Sequence, residues 1–448
     1  MGPSLPLAPF SASAVNVGDK VVVADEWDGA WPYKIQVYDG QTDAWAVVQS
    51  SSNPSVPIGS WAGIAAVGSK VLIAGGAFGG CGFICPSDAV MIYDDATGSL
   101  SSGPPLSVAR RECQAATVGA KVLFGSWDSS TLDVYDDATG VWSVVSSSLP
   151  GAESITSIGS RAFISSGSSI EVYDDATGAW TAMSLPTVAW ASESVSTGSK
   201  AVFASPFLRE VDVYDGSTGT WWSTLMPTAR QFSAMVAVGS KVLFAGGSPS
   251  VAESRVDILD TATGRWSVGA LPTERRSLTG AVLGTRAFFC PGPRSYGMDS
   301  IVEIYDDAIG SPYCAAAAPN STGSPARITA QGFPGAAVQG YALLRATGLP
   351  SHSVGYFLNS LSAGFTANPG GSQGHLCLGG AIGRYAGSLF DSGSDGVAAL
   401  QLELARTPTP SGLEMIAAGE TWYFQAWYRD TNPGPTSNFT DAVVVTFQ

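Results

Sequence analysis

One nine-residue pattern recurs through the first 312 residues of the 448-residue chain, and it constrains the fold more than any other feature. The pattern reads VYDDATGAW where it ends at Trp180, and six other stretches follow it closely. Successive copies are 38 to 55 residues apart. A period of about 40–50 residues built from short β-type runs is typical of a β-propeller and not of a helical solenoid. The seven copies end at Trp45, Leu100, Trp142, Trp180, Trp221, Trp266 and Pro312.

A second element precedes each copy, a short Gly-containing turn that ends in a basic residue, such as VGSK or LGTR. Each such turn is followed by an apolar run, for example VLIAGG or VLFAGG, that is rich in strand-forming residues. Each repeat therefore predicts four antiparallel strands, which is the composition of one propeller blade. The basic residues are Lys20, Lys70, Lys121, Arg161, Lys200, Lys241 and Arg286.

The Asp-rich stretch in the middle of each copy predicts a tight turn. Asp side chains accept hydrogen bonds from backbone N–H groups just ahead of them, and Gly supplies the positive φ that closes a hairpin. The Tyr and Trp of one copy, seven residues apart, then lie on neighbouring strands and bury apolar area between blades. A calcium loop is the competing interpretation of DDATG, but the stretch lacks alternating oxygen ligands and a distal Glu.

These units resemble kelch repeats, in which paired glycines after the second strand are followed by a Tyr and then by a Trp. Gly75-Gly76 and Gly246-Gly247 match the double glycine, while the other repeats carry ADE, GSW, SSG, ASP or CPG there. The Tyr position matches in six of seven copies and the Trp position in five. The resemblance covers residues 10–312 and implies a seven-bladed kelch-type propeller. Pro312 stands where the last Trp belongs, which leaves open how the seventh blade closes.

The composition changes after the last repeat and predicts a second domain. Residues 313–448 contain short apolar runs such as YALLRATGLP and DAVVVTF between Gly, Pro and Asn turns, a pattern typical of a β-sandwich. Tyr313-Cys314, Gly348-Leu349-Pro350 and Trp427-Tyr428-Arg429-Asp430 resemble the terminal β domain of repetitive secreted bacterial proteins. That resemblance implies a stabilising cap, a spacer or a surface-association module. We therefore predict an all-β chain, with a propeller over residues 1–312 and a sandwich-like domain after it.

Composition indicates in which compartment the protein is found and disfavours some classes of partner. The net charge of −15 disfavours nucleic acid and anionic membranes, and no apolar run approaches the roughly 18 residues of a membrane span. Only 13% of residues are charged, His occurs twice, and the Cys count is six, which favours an exported, oxidised protein. The first ten residues, MGPSLPLAPF, lack the regions of a signal peptide, so we expect a mature or trimmed form. We predict an extracellular or cell-surface location and no cofactor.

The six cysteines predict disulfides and not a metal or redox site. The stretch CGFIC is not a CxxC pair, and no Cys adjoins a His. We expect a bridge between Cys314 and Cys377 in the C-terminal domain. Cys85 is expected to pair with Cys81 or with Cys113.

Two faces of a propeller can be assigned from the repeat. We define the entry face by the segments that enter the first strands and by the loops between second and third strands. The turn face carries the VGSK and DDATG turns. Its many Asp, Lys and Arg residues are expected to form a ring of solvated charges, with each exposed pair contributing about 0–1 kcal/mol.

The entry face is the predicted ligand-binding surface because it carries the long, variable loops. Apart from Trp222, which adjoins a repeat Trp, five Trp residues lie outside the repeat positions and the C-terminal domain, and all map to this face: Trp27, Trp31, Trp61, Trp127 and Trp190. Exposed indoles beside Arg and carboxylates suit sugar rings or peptide segments, so we predict a glycan or protein ligand. The alternative is that these Trp pack between blades and the Arg brace loops. The Arg candidates are Arg111, Arg209, Arg230, Arg276 and Arg294.

The residues also bear on four other functions. Copper-radical oxidases of the galactose oxidase type need two His, and here His352 and His375 both follow the repeat region. The lack of a His in the repeat region also disfavours hydrolysis by a catalytic triad, which needs a His as its base. A purely structural surface protein remains an alternative, as does a paired-carboxylate glycosidase. We predict a non-catalytic binding protein. The carboxylates open to the glycosidase are Asp25, Glu26, Asp28, Glu112, Asp128 and Glu274.

Overall fold

The chain divides into two compact units, Gly2–Gly269 with Thr273–Glu303, and Ile304–Gln448 with Ala270–Pro272. The division therefore falls a few residues before the predicted boundary at 312. The computed structural model describes residues 3–7, 9, 12–25, 34–49, 58–79, 84–205, 208–230, 234–247, 253–275, 278–291, 300–314, 317–335 and 340–448.

Six four-stranded antiparallel sheets, numbered 1 to 6 in chain order, make up most of the first unit within its described residues. Each sheet takes its four strands from one repeat. The first strands are Ala12–Val17, Gly63–Val67, Gln114–Val118, Ser154–Ile158, Glu193–Thr197 and Ala234–Val238. The second strands are Lys20–Asp25, Lys70–Ala74, Lys121–Ser126, Arg161–Ser166, Lys200–Ala204 and Lys241–Ala245. The third strands are Lys34–Asp39, Val90–Asp94, Ser129–Asp136, Ser169–Asp174, Glu210–Asp215 and Glu253–Asp260. The fourth strands are Ala44–Gln49, Ser99–Ser102, Val141–Ser146, Ala179–Ser184, Thr220–Leu225 and Arg265–Arg275.

The first strands form a closed ring. The strand of each sheet lies beside that of the next, and the hairpin Thr279–Leu283 with Arg286–Cys290 closes the ring between sheets 6 and 1. An extra short hairpin, Ala77–Gly79 with Ile84–Pro86, follows the second strand of sheet 2. The predicted all-β propeller is thus confirmed. The number of complete blades stays a prediction.

Aromatic pairs form across the third and fourth strands of one sheet, in the register that the repeat predicts, and pack against the preceding sheet. Tyr135 lies directly opposite Trp142 across the third and fourth strands, and Tyr173 lies opposite Trp180. The ring centroids are 5.3 Å apart in the first pair and 5.1 Å in the second. The second strand of each of these two sheets is almost wholly buried, because neighbouring sheets pack against both faces of the sheet.

The repeated Asp-Asp pair on the turn face has two separate tasks. The first Asp accepts a hydrogen bond within its own turn: Ala176 N–H donates to Asp174 Oδ1 at 3.0 Å. The second Asp accepts from the basic residue of the preceding sheet: Lys121 Nζ donates to Asp175 Oδ1 at 2.6 Å. The same contact joins Lys20 to Asp95 and Lys70 to Asp137. These charges are half-buried pairs between sheets, and so differ from the solvated ring that the sequence predicted.

Because these pairs are partly exposed, we expect a small coupling energy. The double-mutant cycle of Lys121→Met and Asp175→Asn should give about 0.5–1 kcal/mol, decreasing with added salt. The measurement is the urea midpoint of the four proteins. Asp174→Asn is the matched control, because its carboxylate serves its own turn and should show no coupling to Lys121→Met. Equal coupling of both aspartates would contradict this division of tasks.

The second unit contains two sheets with a shared core. One holds Arg327–Phe333, Tyr341–Thr347 and Ala398–Leu402, with Glu303–Asp306 pairing at its edge. Buried residues of both sheets, such as Leu344 and Phe424, pack into one cluster, which is the arrangement of a sandwich. The other sheet orders Gly310–Tyr313, Pro435–Thr446, Thr421–Thr431, Val354–Ser360 and Gly383–Arg384, with Phe390–Asp391 also on Val354–Ser360. The remaining elements are the hairpins Ser362–Ala367 with His375–Gly379 and Thr407–Thr409 with Gly412–Glu414, and the 3₁₀ turns Pro369–Gly371 and Leu404–Arg406.

The cysteines agree with one predicted bridge and exclude one alternative. Cys314 and Cys377 form a disulfide, as predicted. Cys85 is also disulfide-bonded, and Cys113 is a free, buried thiol, so the pairing of Cys85 with Cys113 is wrong. The other predicted partner, Cys81, lies outside the described residues. Within the described chain, no helix has the length and apolarity to cross a bilayer.

Candidate functional site

The segments that form the entry face are anchored by a buried polar residue on the third strand. It stands two positions before the Tyr of the repeat and accepts hydrogen bonds from the segment that enters its own sheet. Asp212, for example, accepts from the backbone N–H groups of Thr187 and Val188 at 2.9 and 2.8 Å. This signal is visible in the sequence, where the position is acidic or amide in six of seven repeats, but our sequence analysis missed it. The six residues are Gln36, Asp133, Glu171, Asp212, Asp257 and Glu303.

Three of these anchors pair with Arg residues of the entry segments. Arg230 is 2% exposed, and its Nε and Nη2 donate to Asp257 Oδ2 at 3.0 and 2.9 Å. Arg110 pairs in the same way with Asp133, and Arg275 Nη2 lies 3.5 Å from Glu303 Oε1. Arg230 therefore corrects the sequence prediction. It braces its loop from inside the fold and does not reach the surface as a ligand-binding residue.

The tryptophans of the entry face are exposed where the structure describes them. Trp61, Trp127 and Trp190 keep 49%, 45% and 46% of their surface accessible. Trp142 and Trp180, which belong to the repeat, are instead partly buried against Tyr rings. The three described entry-face indoles are thus not packed between sheets. Trp27 and Trp31 lie outside the described residues.

Two of these indoles line one cavity of about 310 Å³ on the entry face. Trp127 comes from the turn between the second and third strands of sheet 3, and Trp190 from the segment that enters sheet 5. Segments entering sheets 3, 4 and 5 supply the rest of the wall. The lining residues are Glu112, Gln114, Trp127, Ala152, Glu153, Trp190 and Ser192.

Backbone geometry fixes the position of these side chains. Trp61 and Glu112 each stand two residues before a first strand, and both adopt a left-handed conformation, with φ of 61° and 51°. Such a conformation is unfavourable for residues other than Gly and is found where the surrounding structure imposes it. Cys113 N–H donates to the Trp61 carbonyl at 2.9 Å, which ties the two segments together. A Cβ on Gly151 would lie 1.9 Å from the Trp127 carbonyl, so only Gly permits this close approach.

The remaining Arg candidates differ in their surroundings. The Arg111 guanidinium lies 5.6 Å from the centroid of the Trp127 ring, a cation–π distance. Arg209 is exposed, and its Nε donates to the Met226 carbonyl at 2.6 Å. Arg276 and Arg294 lie outside the described residues. Arg111 is thus the Arg that the structure brings next to the cavity.

Two carboxyl groups near the cavity have raised pKa values. Burial raises the pKa of Glu153, while hydrogen bonds from the Gly167 N–H and the Trp190 side chain act in the opposite direction. Burial alone raises the pKa of Glu193 to about 7. Glu193 begins the first strand of sheet 5, directly after the cavity residue Ser192.

The carboxylates considered for a glycosidase are only partly brought together. Glu112 lines the cavity, Asp128 accepts from Ser126 Oγ at 2.8 Å, and Glu274 is exposed. The side chain of Asp25 and the residues Glu26 and Asp28 lie outside what the structure describes. Among the described residues, no group of three or more His, Cys, Asp or Glu is placed to hold a metal ion.

Four-stranded antiparallel sheets around a ring of first strands define a β-propeller, and that is the class to which this fold belongs. Among solved structures, the chain is similar to one titled "Structure of YjhT", with 12% identity and a TM-score of 0.46. The match covers 68% of this chain and 96% of that chain. No protein-family model and no curated protein matches the sequence.

Proposed function

We propose that the protein is a non-catalytic, extracellular or cell-surface kelch-type binding protein, which takes a glycan or protein ligand on its entry face. The observation that carries this proposal is the cavity between Trp127 and Trp190. Half-exposed indoles in a concave site are the groups that sugar rings and peptide side chains contact through stacking. Arg111 beside Trp127, together with Trp61 on the neighbouring segment, extends this surface beyond the cavity.

Replacing Trp127 and Trp190 with Ala should abolish retention on a mixed glycan and protein array. Both side chains are about half exposed, so the free energy of unfolding of the double variant should stay within about 1 kcal/mol of the wild-type value. Phe365→Ala is the matched control, because Phe365 is an exposed aromatic residue of the other unit. Retention that survives the double substitution would contradict the proposed surface. No retained ligand for the wild type, in a screen of both classes, would favour the purely structural alternative.

A paired-carboxylate glycosidase is the second candidate, and one observation favours it. Glu112 and Glu153 line the same cavity, and the pKa of Glu153 is raised, as a general acid requires. In that case hydrolysis of an oligosaccharide should be measurable and should be lost on Glu153→Gln. A binding protein would retain its ligand unchanged through prolonged incubation.

A further inference from the structure

The cavity between Trp127 and Trp190 has an uneven charge. Its seven lining residues include two carboxylates, Glu112 and Glu153, and no Lys, Arg or His. Arg111 is the cation beside it, and its guanidinium is already engaged with the Trp127 ring. Since the charged residues that line the cavity are both carboxylates, the cavity attracts a positive charge and disfavours a carboxylated or sulfated ligand.

The aromatic wall has the same preference. The face of an indole is negative, and it attracts an ammonium group within about 6 Å of the ring centroid. Arg111 covers Trp127 in this way at 5.6 Å, and Trp190, which lines the same cavity with 46% of its surface accessible, is the indole that a ligand cation can reach. The Trp190 side chain is hydrogen-bonded to Glu153, so an amine next to this indole would also lie close to a carboxylate.

The other lining groups suit a sugar. Gln114 and Ser192 supply an amide and a hydroxyl, the partners of ring hydroxyl groups. A volume of about 310 Å³ exceeds what an ammonium group alone would fill and is at the lower end of small-molecule sites. A lysine side chain also has an amine, but it has no ring to stack on an indole and no hydroxyl groups to bond to Gln114 and Ser192.

We infer that the cavity binds an amino sugar with a free, protonated amine, whose ring stacks on an indole and whose amine lies between Trp190 and Glu153. This inference rests on the proposed glycan-binding function and names the ligand class of the same surface. Such a cavity would distinguish glycans of equal length by whether one nitrogen is a protonated amine or carries an acetyl group. An N-acetyl group removes the charge and therefore the interaction with both Trp190 and Glu153.

The test is titration calorimetry at physiological salt with three oligosaccharides of equal length, namely glucosamine, N-acetylglucosamine and glucose oligomers. We expect the glucosamine oligomer to bind at least tenfold more tightly than the other two. Glu153→Gln should weaken its binding by about ten- to a hundredfold, because a charge-assisted contact with the amine is lost. Glu112→Gln should weaken it less, because it removes a negative charge from the wall but no contact with the amine. Both substitutions keep the acceptor oxygen, so the loops should stay folded.

Glu403→Gln is the control for overall charge, since it removes one exposed carboxylate from the other unit. Equal weakening by Glu403→Gln would show that the ligand follows net charge and would overturn the inference. Equal binding of all three oligosaccharides would also overturn it, while the proposed glycan-binding function would stand. Preference for a lysine-rich peptide would overturn the amino-sugar assignment and leave a protein ligand. Binding of none of these ligands would overturn the inference, and the array decides the proposed function separately.

Discussion

Replacing Arg230 with Met should lower the free energy of unfolding by about 2–4 kcal/mol, because a fully buried carboxylate loses the stronger buried partner of its two Arg residues and keeps only the partly exposed Arg255. Asp257 is fully buried, and Arg230 supplies two of the hydrogen bonds to it. Arg230 Nη1 also donates to the carbonyls of Gly246 and Arg255 at 2.6 and 2.9 Å. The loss therefore leaves Asp257 Oδ2 without these donors and the Gly246 carbonyl without this hydrogen bond, while Arg255 keeps its pair with Oδ1 and its carbonyl still accepts from Gly246 N–H. The urea midpoint should fall accordingly.

Two further variants separate this structural role from ligand binding. Arg209→Met removes an exposed Arg of the same face and should change stability by less than about 1 kcal/mol. Arg230→Met combined with Asp257→Leu removes both charges and should recover much of the loss. If Arg230→Met kept full stability but lost ligand retention, Arg230 would be the ligand-binding residue that the sequence predicted, and the buried pair would carry little energy.

Replacing Glu193 with Gln should stabilise the protein at pH 8 and leave its stability near pH 4 unchanged. Among the described residues, no hydrogen bond or ion pair reaches this carboxyl group, and burial raises its pKa to about 7 from the ordinary 4.5. Below about pH 4.5 the folded and unfolded states are both protonated, so the group has no effect. Between pH 4.5 and 7 the unfolded chain releases its proton first, and stability falls.

The full difference is reached above pH 7 and corresponds to about 3 kcal/mol at most. Glu193 keeps some accessible surface, so solvent reduces the effect, and we expect a gain of about 1–3 kcal/mol for Glu193→Gln at pH 8. Thermal unfolding at pH 4, 6 and 8 measures it, with the exposed Glu403→Gln as a control that should show no such trend. A destabilised Glu193→Gln at pH 8 would show that the carboxylate has a stabilising partner.

The repeat predicted the sheets well because its signals are local. Tyr135 and Trp142 flank one turn, so their spacing already determines that they face each other across neighbouring strands. The tasks of Asp174 and Asp175 were less accessible, since the partner of the second is Lys121, 54 residues earlier in the chain. Sequence patterns of short range do not show which sheet packs beside which.

Arg230 and the cavity show the same limit at the entry face. An Arg in a loop segment suggests an exposed ligand-binding residue, and only the fold reveals that Asp257 lies within reach of it. The exposure of Trp127 and Trp190 agrees with their prediction as surface indoles, but their meeting in one cavity was not predictable. It depends on backbone conformations such as the left-handed one at Glu112, for which the sequence offers no cue.

Three Lys–Asp ion pairs of the turn face run in one direction around the ring. Lys20, Lys70 and Lys121 each reach forward to the turn of the following sheet, and Arg286 of the closing hairpin reaches Tyr38 of sheet 1 at 3.0 Å. Sheets 2, 3 and 4 thus each offer an Asp to the Lys of the sheet before, which makes these three units interchangeable in this contact. Arg161 and Lys200 instead donate to the backbone carbonyls of Gly216 and Thr261, so sheets 5 and 6 accept differently. Duplication or loss of a repeat among sheets 2 to 4 would leave the remaining Lys–Asp pairs matched, so this chemistry holds those neighbours together without encoding their number.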